Sequence, residues 1–211
     1  MKKVLGILFW SILLAGIGVA VVFMQMKHKE TICQGFTLSI IDNNPDPLIS
    51  EADIRQQILQ ITDTLTGKKI GEIDLMQIHG ILKDNPYILN ADIQSDISGN
   101  LSVEIELRRA ILRVINKDSY SYYIDEDGYL LPVNPGYPSR VLIANGNIKD
   151  GIKDLNGSRI HLSQQNNTPI IEELYELASY IDWSPFLSKM ISQVWVNEKG
   201  AYELIPLIGN Y

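Results

Sequence analysis

Polar and apolar positions are arranged in three distinct ways along this chain, and each change of pattern marks a change of structure. The first is an unbroken apolar run, "VLGILFWSILLAGIGVAVVFMQM", Val4 to Met26, with no charged residue. As a helix of about 23 residues at ~1.5 Å each it reaches ~34 Å, enough for a ~30 Å hydrocarbon core. The run is too long for the core of a cleavable leader, and Phe23-Met24-Gln25-Met26-Lys27 is a poor cleavage site. The pattern predicts an uncleaved single-pass anchor over residues 4–26, after a cytoplasmic tail of residues 1–3. Residues 27–34 then read as a juxtamembrane linker.

The second pattern runs from residue 35 to residue 109. "FTLSIID" is rich in strand formers, and "NNPDP" breaks it. In "SEADIRQQILQI", Ile54, Ile58 and Ile61 recur at helical spacing behind a Ser50–Asp53 cap. "DLMQIHGILKDNP" predicts a second helix, capped by Asp74, burying Leu75, Ile78 and Leu82 and ended by Asn85-Pro86. Two alternating strands follow. "ILNADIQSDI" places Leu89, Ala91, Ile93, Ser95 and Ile97 on one face. "LSVEIELR" places Leu101, Val103, Ile105 and Leu107 on one face and Arg108 on the other. Ser98-Gly99-Asn100 suits the hairpin turn between them. The order is strand, helix, helix, strand, strand, with the two helices covering one face of a three-stranded sheet.

After residue 109 the strands shorten: "AILRVIN", "SYYIDEDGYLLPV" and "SRVLIAN". "TPIIEELYELASYI" is a helix capped by Thr168 with Pro169 in its first turn. "MISQVWVNEKGAYELIPL" is a strand, a turn at Glu198 to Gly200, and a closing strand over Ala201 to Ile205. Pro206 has no N–H to donate, so it places that strand at a sheet edge or ends it. Gly209 and Asn210 read as the start of a further turn, toward a partner strand that the sequence does not contain. The fold class is α+β: a transmembrane helix, a unit at 35–109 and a β-rich unit at 110–211.

Charge reinforces this division. The net charge is −7 over 211 residues. Setting aside Lys2, Lys3, Lys27 and Lys29 leaves the remainder at about −11. An acidic body beside a lysine-flanked helix suits a protein with its N-terminus inside and its bulk outside the membrane. It argues against nucleic acid, which requires clustered basic residues. Arg108, Arg109 and Arg113 are the densest basic group and read as a solvated strand end.

Chemistry-bearing motifs are sparse. His28, His79 and His161 lack metal-ligand spacing, and no serine sits in a nucleophile elbow. Cys33 is alone, and Ile32 before it is not the small residue of a lipidation site. "DEDG" at 125–128 lacks the preceding acid of a calcium loop and reads as a hairpin turn. Gly-Lys-Lys at 67–69 lacks the flanking residues of a phosphate loop. No cofactor, catalytic residue or metal site is expected, and the chain does not read as an enzyme.

Three stretches carry a family resemblance. "GEIDLMQIHGILKDNPYILNADIQ" resembles a segment with Pro-Trp-Val where this chain has Pro86-Tyr87-Ile88. "SGNLSVEIELRRAILRV" is similar to a hairpin that enters a second domain, with Arg109-Ala110 for the usual Arg-Pro. "YYIDEDGYLLPV" is similar to a "L-V-D-x-x-G-x-x-F" hairpin. In this order behind an anchor they resemble the bacterial cell-division family FtsQ, called DivIB in other bacteria, in a Bacteroidetes-like form.

The resemblance implies a POTRA domain at 35–109 and an FtsQ-type β domain at 110–211 that looks C-terminally short. It implies a divisome scaffold at the septal inner membrane. Such a scaffold binds and recruits single-pass proteins of the FtsB and FtsL type by adding a partner strand to its β domain. Tyr202 and Leu204, on one face of the closing strand, are the candidate partner-binding residues. A second reading is a POTRA module serving outer-membrane or secretion assembly; a third is an anchored enzyme assembled from distant residues.

Overall fold

A computed structural model describes residues 2–41, 46–62, 64–165 and 169–207. The expected Thr168 cap, most of the "NNPDP" break and the turn at Gly209 and Asn210 lie outside the described residues. Helix α1 runs Lys2–Glu30. Among the described residues no helix is long and apolar enough to cross a membrane. The span expected over residues 4–26 is therefore not found as such. Several of its side chains lie outside the described set, and the longest unbroken described stretch, Phe9–Ala20, reaches only ~18 Å as a helix.

The first unit contains β1 (Gly35–Ile41), α2 (Glu51–Thr62), α3 (Leu75–Asp84), β2 (Ile88–Ser95) and β3 (Asn100–Leu107). Its sheet has the order β1-β3-β2, with β1 parallel and β2 antiparallel to β3. Both expected caps form: the Asp53 N–H donates to Ser50 Oγ at 3.1 Å and the Gln77 N–H to Asp74 Oδ1 at 2.9 Å. Leu101, Val103, Ile105 and Leu107 of β3 are buried under Ile54 and Ile58 of α2 and Ile78 and Leu82 of α3. The alternation in "LSVEIEL" thus meets the helical spacing in α2 and α3. Ile97 departs from expectation. It lies beyond β2, in the turn closed by the Gly99 N–H to the Asp96 carbonyl, and is 78% exposed.

The second unit contains β4 (Ala110–Ile115), β5 (Ser121–Asp125), β6 (Tyr129–Pro132), β7 (Leu142–Gly146), β8 (Ile160–His161), α4 (Pro169–Trp183), the short α5 (Leu187–Met190), β9 (Ile191–Val196) and β10 (Tyr202–Pro206). These strands form one seven-stranded sheet in the order β10-β9-β7-β4-β5-β6-β8. The β4–β7 and β7–β9 pairs are parallel, and the other pairs are antiparallel. One face, with Leu112, Tyr122, Ile124, Leu130, Ala144 and Val194, packs against Ile171, Leu174 and Ala178 of α4. Gly146 (φ +105°) ends β7 so close to β9 that an added Cβ would lie 2.3 Å from the Val196 carbonyl oxygen, so a side chain is excluded there.

The two units share a small buried cluster. Leu48, from the chain entering α2, is fully buried against Ala110, Tyr123 and Leu131 on the opposite sheet face. Asn134 Nδ2 donates to the Leu48 carbonyl at 3.1 Å, and Arg159 Nη1 donates to the carbonyls of Lys83 (2.9 Å) and Asn85 (3.0 Å).

The arginine group is not a solvated strand end. Arg108 is buried and its Nη1 donates to Asp125 at 2.6 Å. Arg109 Nη1 and Nη2 donate to both carboxylate oxygens of Asp182, and Nε and Nη2 to Glu126. The acids of the "DEDG" turn, read from sequence as turn polarity alone, are the partners that bring both arginines down onto the fold.

Candidate functional site

β10 is the edge strand nearest the end of the chain. A short turn holds it against β9. Asn197 Oδ1 accepts from the N–H groups of Lys199 and Ala201, both at 3.0 Å, and Gly200 (φ +79°) supplies the left-handed step. The Asn197 N–H donates to the Ala201 carbonyl at 3.0 Å, which makes 197 and 201 a hydrogen-bonded pair.

That pair sets the phase of the hairpin. In an antiparallel ladder, hydrogen-bonded and non-hydrogen-bonded pairs alternate. Tyr202↔Val196 and Leu204↔Val194 are therefore non-hydrogen-bonded pairs, and Glu203↔Trp195 and Ile205↔Gln193 the hydrogen-bonded ones. The backbone N–H and C=O of Tyr202 and Leu204 point away from β9, to the side where no described strand pairs. Pro206 follows, with no N–H of its own, and limits how far another strand can extend along this edge.

The side chains of the two residues differ. Tyr202 packs on the core beneath α4, and its hydroxyl donates to the Glu173 carboxylate. Partial burial, with that hydrogen bond and charge, pushes its phenol up to about 12. Leu204 shares its face but is 47% exposed, so it is available for contact. The opposite face carries Trp195 and Ile205, 41% and 40% exposed.

Beside the end of β10 lies a groove of about 800 Å³ at the starts of the parallel strands β4, β7 and β9. Leu142, Ile191 and Leu207 contribute to its apolar lining, and Arg113, Arg140 and Lys189 also line it. Among the described residues none of these three cations forms an ion pair; Arg113 donates to Ser121 Oγ instead. Arg109, Asp46 and Asp182 line it as well, so its four basic residues outnumber its two acidic ones, a balance that favours an acidic, apolar-bearing segment. The sequence does not announce it, because its lining comes from strand starts far apart in the chain. Among the described residues no group of three His, Cys, Asp or Glu side chains is placed to hold a metal ion.

Comparison with known proteins matches both units. Residues 31–106 match a family model described as a POTRA-like domain, and residues 109–211 one described as FtsQ/DivIB, C-terminal related. In this order the two matches support placing the chain in the FtsQ/DivIB family. Among curated proteins it is similar to the cell division protein DivIB of Clostridium tetani, at 27% identity over 147 residues. That match covers 70% of this chain and 50% of the relative, so the chain spans about half the length of the curated relative it matches. The FtsQ/DivIB family is a cell-division family of the scaffold type, generally non-enzymatic.

Proposed function

We propose that this chain is a membrane-anchored divisome scaffold that takes up an extended, acidic segment of a single-pass partner, of the FtsB or FtsL type, along β10. The observation that carries the reading is the outward-facing backbone of Tyr202 and Leu204 on a sheet edge that no described strand pairs. Strand addition uses such an edge: backbone hydrogen bonds supply affinity and alternate side chains supply specificity. The edge alone is not enough. About four outward backbone groups at ~1 kcal/mol each give ~4 kcal/mol, a dissociation constant of about 1 mM. Tighter binding needs side chains, and the groove lined by Arg140 and Lys189 lies next to the same edge to receive them.

The proposed organisation is a short cytoplasmic tail, an anchor over 4–26, a POTRA domain at 35–109 and a β domain from 110. The anchor is supported by the uncharged run Val4–Met26 and by the exposure of Phe9, Trp10, Ile12, Leu14 and Val19 on α1. Helical geometry satisfies the backbone where lipid offers no hydrogen-bond partner. The inner membrane and the septum are then its location, with the bulk of the chain periplasmic.

A fluorescent fusion with controlled depletion tests the proposal. Midcell rings, and filamentous cells on depletion, are expected. Uniform envelope fluorescence with normal division would refute it.

A further inference from the structure

We infer that the first unit has a lipid-contacting end, in which Ile97 at the β2–β3 turn and Ile32 after α1 enter the headgroup layer beside the anchor. The inference rests on the proposed anchor. Its basis is how α1 joins the unit. Four backbone hydrogen bonds hold residues 31–34: Ile70 N–H to Thr31 O (2.9 Å), Cys33 N–H to Lys68 O (2.8 Å), Gly67 N–H to Cys33 O (2.8 Å) and Gln34 N–H to Gly99 O (2.9 Å). Ile32 forms an antiparallel bridge with Lys69. At Gly99 (φ +88°) an added Cβ would lie 2.2 Å from the Ile32 carbonyl oxygen, so the β2–β3 turn is pressed against the helix exit. Residues 31–34 are thus a fixed joint rather than a loose linker.

This joint sets the depth of the turn. Residues 27–30 extend the helix ~6 Å past the apolar run, and each headgroup layer is ~5–7 Å thick. Thr31 to Gln34 therefore stand at the outer edge of that layer. β1 starts at this joint and pairs in parallel with β3 from Gly35↔Asn100 onward, so the turn before Asn100 lies at the end of the sheet that α1 joins. Its tip holds Ile97, 78% exposed, and the neighbouring Ile32 is 54% exposed.

The charged groups at this end nearly balance. Lys68 Nζ is held by the Thr62 carbonyl at 2.7 Å, and Asp96 accepts from Asn100 N–H and Nδ2 within the turn. Lys69 is exposed, as are Glu30 and Glu72, while Lys27 and Lys29 precede on α1. Exposed isoleucines beside a membrane helix, with no dominant acidic charge, fit a bilayer interface better than bulk water.

The test uses the full chain in phosphatidylcholine–phosphatidylglycerol nanodiscs, with an environment-sensitive fluorophore on I97C or on I41C. Ile41 is 60% exposed at the far end of β1, ~20 Å away, and Cys33 is buried, so the unsubstituted chain is the labelling blank. Lipids carrying a headgroup-level quencher should quench the position-97 label at least threefold more than the position-41 label. Equal, weak quenching at both positions in incorporated chains overturns the inference and leaves the anchor standing. Failure of the full chain to enter nanodiscs overturns both.

Discussion

Arg108 and Asp125 form a buried ion pair at the junction of the two units, 2.6 Å apart and 6% and 1% exposed. Arg108 is the first residue after β3, and its guanidinium lies 4.2 Å from the centroid of the Tyr129 ring. Asp125 Oδ1 also accepts from the N–H groups of Asp127 and Tyr129, so one carboxylate closes the β5–β6 turn and holds the arginine. The next residue, Arg109, bridges that turn and α4 through Glu126 and Asp182. Consecutive arginines thus tie the end of one sheet to the start of the next.

Losing Asp125 removes the close partner of the buried Arg108 and leaves it only the longer contact with the exposed Asp127 carboxylate, at 3.6 Å. Asp125→Ala is expected to cost about 3–5 kcal/mol of stability. The double change R108M with D125L should cost less than either single change, because it removes both charges together. Urea denaturation of the variants measures this, and a double change as costly as the sum of the singles would contradict it.

Tyr202 gives the β10 edge a pH dependence. Its folded phenol titrates at about 12, above the ordinary value near 10. A raised folded value means that its contribution is fully present below pH ~10 and is lost as pH rises through 12. Tyr202→Phe should remove one late-titrating phenol from the alkaline absorbance change. It should also weaken the alkaline loss of stability between pH 10 and 12, measured by thermal unfolding.

The phase of the β9–β10 ladder predicts an asymmetry between neighbours. Leu204→Pro removes an outward N–H, leaving the bonds to β9 in place, whereas Glu203→Pro removes an inward donor. L204P should keep the fold and lose partner affinity by at least tenfold. E203P should lower the melting temperature by several degrees. Titration calorimetry with a partner peptide, beside thermal unfolding, separates the two effects.

Much of this architecture is legible in the sequence because it is periodic. The buried row Leu101, Val103, Ile105, Leu107 and the caps Ser50 and Asp74 are local signals, and the structure places them as their spacing implies. The closing strand is shifted by one residue, to Tyr202–Pro206, and its edge position follows from a single proline. What escaped is non-local. Parallel pairings such as Leu112↔Leu142 and Ile143↔Gln193 have no turn signal to announce them. Arg108 reads as a polar strand position until Asp125, 17 residues away, is folded against it. The candidate edge was visible in Tyr202 and Leu204, but the groove containing Arg140 and Lys189 needs three separate strand starts to assemble.

The most direct test of strand addition is photo-crosslinking in the native organism, with a crosslinking residue at Leu204 and mass spectrometry of the adduct. An adduct with a small single-pass septal protein is predicted, lost in the L204P background when the crosslinker is moved to Glu203. Adducts only with outer-membrane assembly proteins would contradict the account and favour the POTRA-module reading instead.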